Sequence, residues 1–337
     1  MKDTRKCENA LVAELKDPAG HVMPDEYVPG FQQWLVDGDK FIPMTKTVQT
    51  LPAGDYGMRY DRMYDKNVLF MRQPICEDLL ELPMDEFDDV LNDIGTFWKS
   101  RELYDEYGYI YKRGILLYGP PGCGKTSLIA LMSRQLISKQ DGVVLNLTTS
   151  DDIFAFDEIM RSIREIEPDR RVIAVIEDID NFVSERRDQA ELTSKLLNLL
   201  DGKMQFDNIV IIATTNYPEE LEERISNRPS RFDLRREIGP PKVRAREYYL
   251  RYKLKPRDLK SIDVEEWLRK TSGFTIDHLK ELVCLVFVHK RPFEKAYAEV
   301  NGIIKRPTLK NSPVGKKERL GFAGSGGVDD DDDRIKK

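Results

Sequence analysis

Four stretches of the chain are apolar at almost every position: residues 114–119 (GILLYG), 142–147 (GVVLNL), 172–178 (VIAVIED) and 208–216 (NIVIIATTN). A run with no polar face is buried on both sides, the condition of a parallel strand covered by helices above and below. Helical patterns such as TSLIALMSRQL separate these runs. The alternation predicts an α/β domain over residues 82–241, built on a doubly wound parallel sheet. Pro240-Pro241 closes it, and in residues 242–305 the period changes. VEEWLRK and DHLKELVCLVFVHK carry apolar residues three and four apart, which predicts a small C-terminal helical domain. Residues 1–81 read differently again, as a small N-terminal α+β domain that either recruits a partner or supports the assembly. ENALVAELKD is a short amphipathic stretch, and YGMRYDRMYDKNVLFMRQ reads as a hairpin with Asp65, Lys66 and Asn67 in its turn. In residues 306–337, GFAGSGG leads into an aspartate run from Asp329, a composition that predicts an unfolded, solubilising acidic tail.

Composition narrows the classes. Of 337 residues, 40% are hydrophobic and 33% charged, as in a soluble globular protein. No window approaches the roughly 20 apolar residues of a membrane-spanning helix, so no membrane partner is expected. The charged start, MKDTRKCENALVAELKD, does not read as a secretory signal. Cys7, Cys76, Cys123 and Cys284 form no CxxC pair and only three histidines occur, which predicts neither a disulfide framework nor a zinc site. The compartment expected is reducing and cytoplasmic. A net charge of −6 disfavours broad nucleic-acid binding while leaving a local basic groove open.

Chemistry concentrates in Gly119-Pro120-Pro121-Gly122-Cys123-Gly124-Lys125-Thr126-Ser127, which satisfies GxxxxGK[ST] between a strand and a helix. Glycines let the backbone curl so that successive N–H groups point inward, and the helix start adds partial positive charge. Lys125 is then expected on the β- and γ-phosphates of a nucleoside triphosphate and the Thr126 hydroxyl on Mg²⁺. Cys123 fills the loop; an oxidation sensor is the sharper alternative. The strand VIAVI delivers Glu177, Asp178 and Asp180 at its carboxyl end, where open α/β sheets bind ligands. One carboxylate is needed for the metal and a second for the attacking water. Thr215 and Asn216 end the last apolar strand, so a polar group is offered to the terminal phosphate or the water. Arg224, Arg228 and Arg231 follow in LEERISNRPSRFD, and guanidinium groups of this kind stabilise a transferring phosphoryl, often from a neighbouring subunit.

GPPGCGKTS, the acidic strand end, ATTN and RPSRFD, in this order, resemble the AAA branch of the AAA+ P-loop NTPases. Within the branch the chain is similar to the mitochondrial AAA chaperones that translocate the Rieske protein. That likeness rests on FWKSRELYDEYGYIYKRGILLYGPPGCGKTS, the order Glu-Asp in IEDID, and LTSKLLNLLDG, and it covers about 82–290. It implies an AAA+ large domain with a helical lid, begun by GFTIDHLKEL, and a homo-oligomeric ring, hexameric or heptameric. It further implies ATP and Mg²⁺ as ligands, Asn216 as the first polar sensor, and Arg228 and Arg231 acting on the next subunit's ATP.

Two departures stand out. The family's usual Asp-Glu is inverted, which assigns Glu177 to the metal beside Thr126 and the shorter Asp178 to the water. In place of an aromatic–apolar–glycine pore loop stands LTTSDDIFAFDEIM, whose Phe154 and Phe156 either face a pore or pack into the domain. The function expected is an ATP hydrolase that remodels or translocates a protein. The alternatives are a loader acting on nucleic acid and a nucleotide-gated scaffold with weak hydrolysis.

Overall fold

The computed structural model of the chain describes residues 33–37, 40–44, 48, 50–62, 65–72, 79–183, 190–200, 206–221 and 231–304. The amphipathic stretch at 8–17, the acidic tail at 306–337, Arg224 and Arg228 lie outside the described residues. The chain divides into two compact units, residues 1–280 and 281–337.

The first unit is built on seven strands: β3 (Gly54–Asp61), β4 (Lys66–Met71), β5 (Lys112–Tyr118), β6 (Val143–Asn146), β7 (Val172–Ile176), β8 (Ile209–Thr215) and β9 (Leu234–Glu237). β1 (Gln33–Asp37) and β2 (Lys40–Met44) pair separately as an antiparallel two-stranded sheet. The large sheet runs β4-β3-β6-β7-β8-β5-β9, and every pairing in it is parallel except β3 with β4. All residues of β7 and β8 are buried. Val172, Ala174 and Ile176 pack in one cluster with Phe156 and Met160 of the Ser150–Ile166 helix and with Leu196 of the Ala190–Leu200 helix. Their neighbours Ile173 and Val175 point the other way, because side chains alternate along a strand, and are equally buried. The sheet is covered on both faces, as its two-sided apolar runs require.

Covering helices follow the same logic. Asp85–Phe97 buries Phe87, Val90, Ile94 and Phe97, one stripe at helical spacing. In Ser150–Ile166 a reciprocal cap closes the start: the Thr149 hydroxyl accepts from the Asp152 N–H, and the Thr149 N–H donates to the Asp152 carboxylate at 2.8 Å. This helix begins directly after β6 and settles the two phenylalanines. Phe156 is fully buried and meets Phe206 edge-on at 5.9 Å, whereas Phe154 is 42% exposed.

Two expectations shift. The hairpin forms, but Asp61 already faces Lys66, so the loop is 62–65 and Lys66 and Asn67 belong to β4. Asp65 takes the left-handed conformation there (φ 51°), which its short polar side chain tolerates. The hairpin also lies in the main sheet, not in a separate N-terminal domain ending at residue 81. β3 pairs in parallel with β6 from Gly54↔Val143 to Tyr56↔Leu145, and Tyr56 and Met58 are buried in the common core.

Past the sheet, the helices Val243–Lys253 and Val264–Lys270 are tied by buried Arg246, which donates to the carbonyls of Thr271 (3.0 Å) and Leu268 (3.2 Å). The region expected as one lid, 242–305, is divided between the two units at 280 and 281. In the second unit, Cys284–Val288 forms a π-helical turn and Arg291 pairs with Glu299 of the Phe293–Ile304 helix. Among the described residues no helix is long and apolar enough to cross a membrane.

Candidate nucleotide site

Strand register decides what meets at the carboxyl edge of the sheet. β8 lies between β5 and β7, with Tyr118 opposite Thr215 and Ile176 opposite Ala213. The glycine loop after β5, the polar end of β8 and the carboxylates after β7 therefore emerge side by side. Together they line a cavity of about 240 Å³ that includes Lys125, Thr126, Glu177, Asp178, Thr214 and Asn216.

The loop has the backbone its sequence demands. Gly119 and Gly122 sit at φ 139° and 76°, and a Cβ at Gly119 would overlap the Ile238 carbonyl. The Lys125–Gln140 helix starts directly on the loop, with Gly124 as its N-cap. N–H groups in the first turn of a helix have no acceptor within it, so those of Lys125, Thr126 and Ser127 are available to an anion.

Lys125 is 7% exposed, and its ammonium group is fully engaged. It donates to the carbonyls of Gly119 (2.7 Å) and Pro120 (3.0 Å) and to Asn216 Oδ1 (2.7 Å). Burial pushes its pKa below the usual 10.5, against the pull of Cys123, Asp178 and Asp180. Asn216 uses its other end as well: Nδ2 donates to Asp178 Oδ1 at 3.0 Å. One amide thus spans the phosphate-loop cation and a strand-end carboxylate.

The two acids after β7 take different directions. Glu177 reaches the loop, where Oε2 accepts from the Thr126 hydroxyl at 2.6 Å. Asp178 is left-handed (φ 48°, ψ 55°), and its N–H donates to the Thr214 hydroxyl at 3.0 Å. Asp180 accepts from the buried Thr215 hydroxyl at 2.7 Å and stands behind the site. Hard oxygens from Thr126 and Glu177 side by side suit Mg²⁺, which takes few protein ligands and keeps several waters. Cys123 is fully buried; burial pushes its thiol up to about 11.

Sequence reasoning brought most of these groups together but missed Thr214, which the polar pair before Asn216 signals, and Asp277, which lines the cavity from the Ile276–Val283 helix. Arg231 is not brought to the cavity. Its carbonyl lies against Gly114 of β5 and its residue is 3% exposed.

A helix-capped glycine loop with its lysine, facing strand-end carboxylates on a parallel sheet, defines a P-loop nucleotide-binding domain. Residues 115–240 match the profile of the ATPase family associated with various cellular activities (AAA). The chain is 33% identical over 165 residues to "Probable mitochondrial chaperone bcs1" of Schizosaccharomyces pombe, covering 46% of this chain and 35% of that protein. It is 32% identical over 180 residues to "Mitochondrial chaperone BCS1" of Danio rerio, 50% of this chain and 41% of that one. To "ATP-dependent zinc metalloprotease FtsH 2" of Symbiobacterium thermophilum it is 32% identical over 215 residues, 59% and 36% of the two. Over residues 115–240 the chain is thus similar to the AAA family of ATPases, and its matches span only 35–41% of the length of these relatives.

Proposed function

We propose that this chain binds ATP with Mg²⁺, hydrolyses it within a homo-oligomeric ring, and uses the turnover to remodel a protein partner. The observation that carries the proposal is the Asn216 bridge, which sets Lys125 and Asp178 at its two ends beside the Thr126–Glu177 pair. Lys125 and the loop N–H groups hold the β- and γ-phosphates, the Thr126 hydroxyl and Glu177 hold the metal, and Asp178 orients the attacking water and takes its proton. Asn216 holds Asp178 in register with the terminal phosphate. Mg²⁺, when bound, neutralises charge on the phosphates. The opposite headings of Glu177 and Asp178 support the inverted assignment of the two acids: the longer arm reaches the loop, and the shorter one stays at the end of β8.

Remodelling is supported by the likeness to two proteins named as chaperones. A guanidinium group supplied by Arg228 from a neighbouring copy of the chain is supported by the RPSRFD motif. Lys125→Ala is expected to abolish ATP binding, while Asp178→Asn keeps binding and stops turnover. Full turnover by Asp178→Asn overturns the role given to that carboxylate. Trapping with Asp178→Asn and ATP, followed by electron microscopy, should capture the protein partner and count the subunits.

A further inference from the structure

Asp277 is the acid in this cavity that the chemistry above leaves unused. Its backbone is latched to the phosphate loop: the Gly122 carbonyl accepts from the N–H of Ile276 at 3.0 Å and of Asp277 at 3.4 Å. Its side chain rests on the same glycine, since a Cβ there would lie 2.7 Å from Asp277 Oδ2 and 2.9 Å from its Cβ. Among the described residues no ion pair or hydrogen bond engages the carboxylate. Asp277 is itself exposed; burial pushes the Cys123 thiol and the Tyr249 phenol up, and the Asp277 charge adds to both.

An unpaired carboxylate beside a polyphosphate is repelled by it, by about 1–4 kcal/mol per charge pair at about 4 Å. The same group beside an uncharged O–H or N–H donor accepts a hydrogen bond stronger than a neutral acceptor makes. A nucleotide has both kinds of surface. Its phosphates belong with Lys125 and the helix start, which leaves the sugar hydroxyls and the exocyclic amine of the base as the donors.

Resting on the proposed ATP reading, we infer that Asp277 is a specificity-determining residue that accepts a hydrogen bond from the nucleoside and disfavours phosphate chains lacking one. The test measures binding of ATP, 2′-deoxy-ATP, 3′-deoxy-ATP, inosine triphosphate and inorganic tripolyphosphate, with Mg²⁺, to the full chain. For Asp277→Ala the affinity for ATP should fall about tenfold or more, while that for tripolyphosphate holds or rises. Discrimination against one analogue, present in the native chain, should vanish, and that analogue identifies the donor as a hydroxyl or the amine. Asp277→Asn keeps an acceptor oxygen without the charge. It should retain part of the ATP affinity, and it carries the test if the alanine variant melts early.

Equal shifts for ATP and tripolyphosphate, no shift for either, or a native chain indifferent to every analogue overturns the inference. If the native chain binds no ATP, or Lys125→Ala binds it equally well, the ATP reading itself fails. A native chain that binds ATP beside an Asp277→Ala variant that binds it as tightly refutes the role of Asp277 alone.

Discussion

Removing the Asn216 amide separates holding a nucleotide from turning it over. Asn216→Ala deletes two contacts, one to the Lys125 ammonium at 2.7 Å and one to Asp178 Oδ1 at 3.0 Å. Lys125 keeps two carbonyl acceptors on its own loop, so its position is held and the affinity for ATP should change by less than about threefold. Asp178 loses the one side-chain partner that, among the described residues, aims its carboxylate. A single preorganised polar group at a reacting centre is worth about 10²–10³ in kcat, and a fall of about 10²-fold is expected for this half-exposed site. Asn216→Asp refines the assignment. It keeps an acceptor for Lys125 but removes the donor to Asp178 and sets two like charges together, repelling by about 1–4 kcal/mol. Its turnover should be no higher than that of the alanine variant. Steady-state ATPase measurements alongside nucleotide titrations read both quantities. A kcat within twofold of the native chain for either variant refutes the reasoning, as does a loss confined to affinity.

Three more outcomes follow from the geometry. Gly114→Ala drives a Cβ into the Arg231 carbonyl of a segment pinned by the Asp233 N–H to Gly114 O bond (2.9 Å) and the Gly114 N–H to Asp233 carboxylate bond (2.7 Å). It should lose about 3 kcal/mol, roughly 6–12 °C in Tm, and an unchanged melt would show the fit is looser than drawn. Cys123, with its thiol raised from 9.0 to about 11, should resist alkylation at pH 8.5 in the folded chain. Between about pH 9 and pH 11 the unfolded thiol ionises while the folded one does not. Stability should therefore fall with rising pH across that window in the native chain, and fall less in Cys123→Ala. Arg231→Ala should lower Tm because the side chain is buried, and mixing it with Lys125→Ala should restore no ATPase activity; Arg228→Ala mixed in the same way should restore it. Recovery by the Arg231 mixture would return that residue to the interface.

What the chain discloses about itself follows the range of the forces involved. The loop, the strand ends and their polar residues were legible because each is a local pattern: a phosphate cradle needs glycines before a helix, and a doubly covered strand needs apolar residues on both faces. Strand order was not legible. That β8 runs between β5 and β7 is set by crossovers and packing between distant segments, yet it alone puts Asn216 between Lys125 and Asp178. The same holds for β3, whose alternation announced a hairpin but not its pairing with β6. Arg231 looked like an exposed finger because its motif is written in polar residues, and its burial depends on how the chain returns past β5. Phe154 and Phe156 were ambiguous as a loop and become distinct once the helix phase is fixed, since residues two apart point in different directions.

Asp178 holds a backbone conformation that glycine takes without penalty and that other residues adopt at a strain of about 1 kcal/mol. Its Thr214 contact is made through the main chain and would survive loss of the side chain. Asp178→Gly relieves that strain but loses the Asn216 bond and adds freedom to the unfolded chain, so its Tm should stay within about 2 °C of the native chain's while turnover stops. On the proposed mechanism, a carboxylate set where glycine would sit without strain trades durability for turnover.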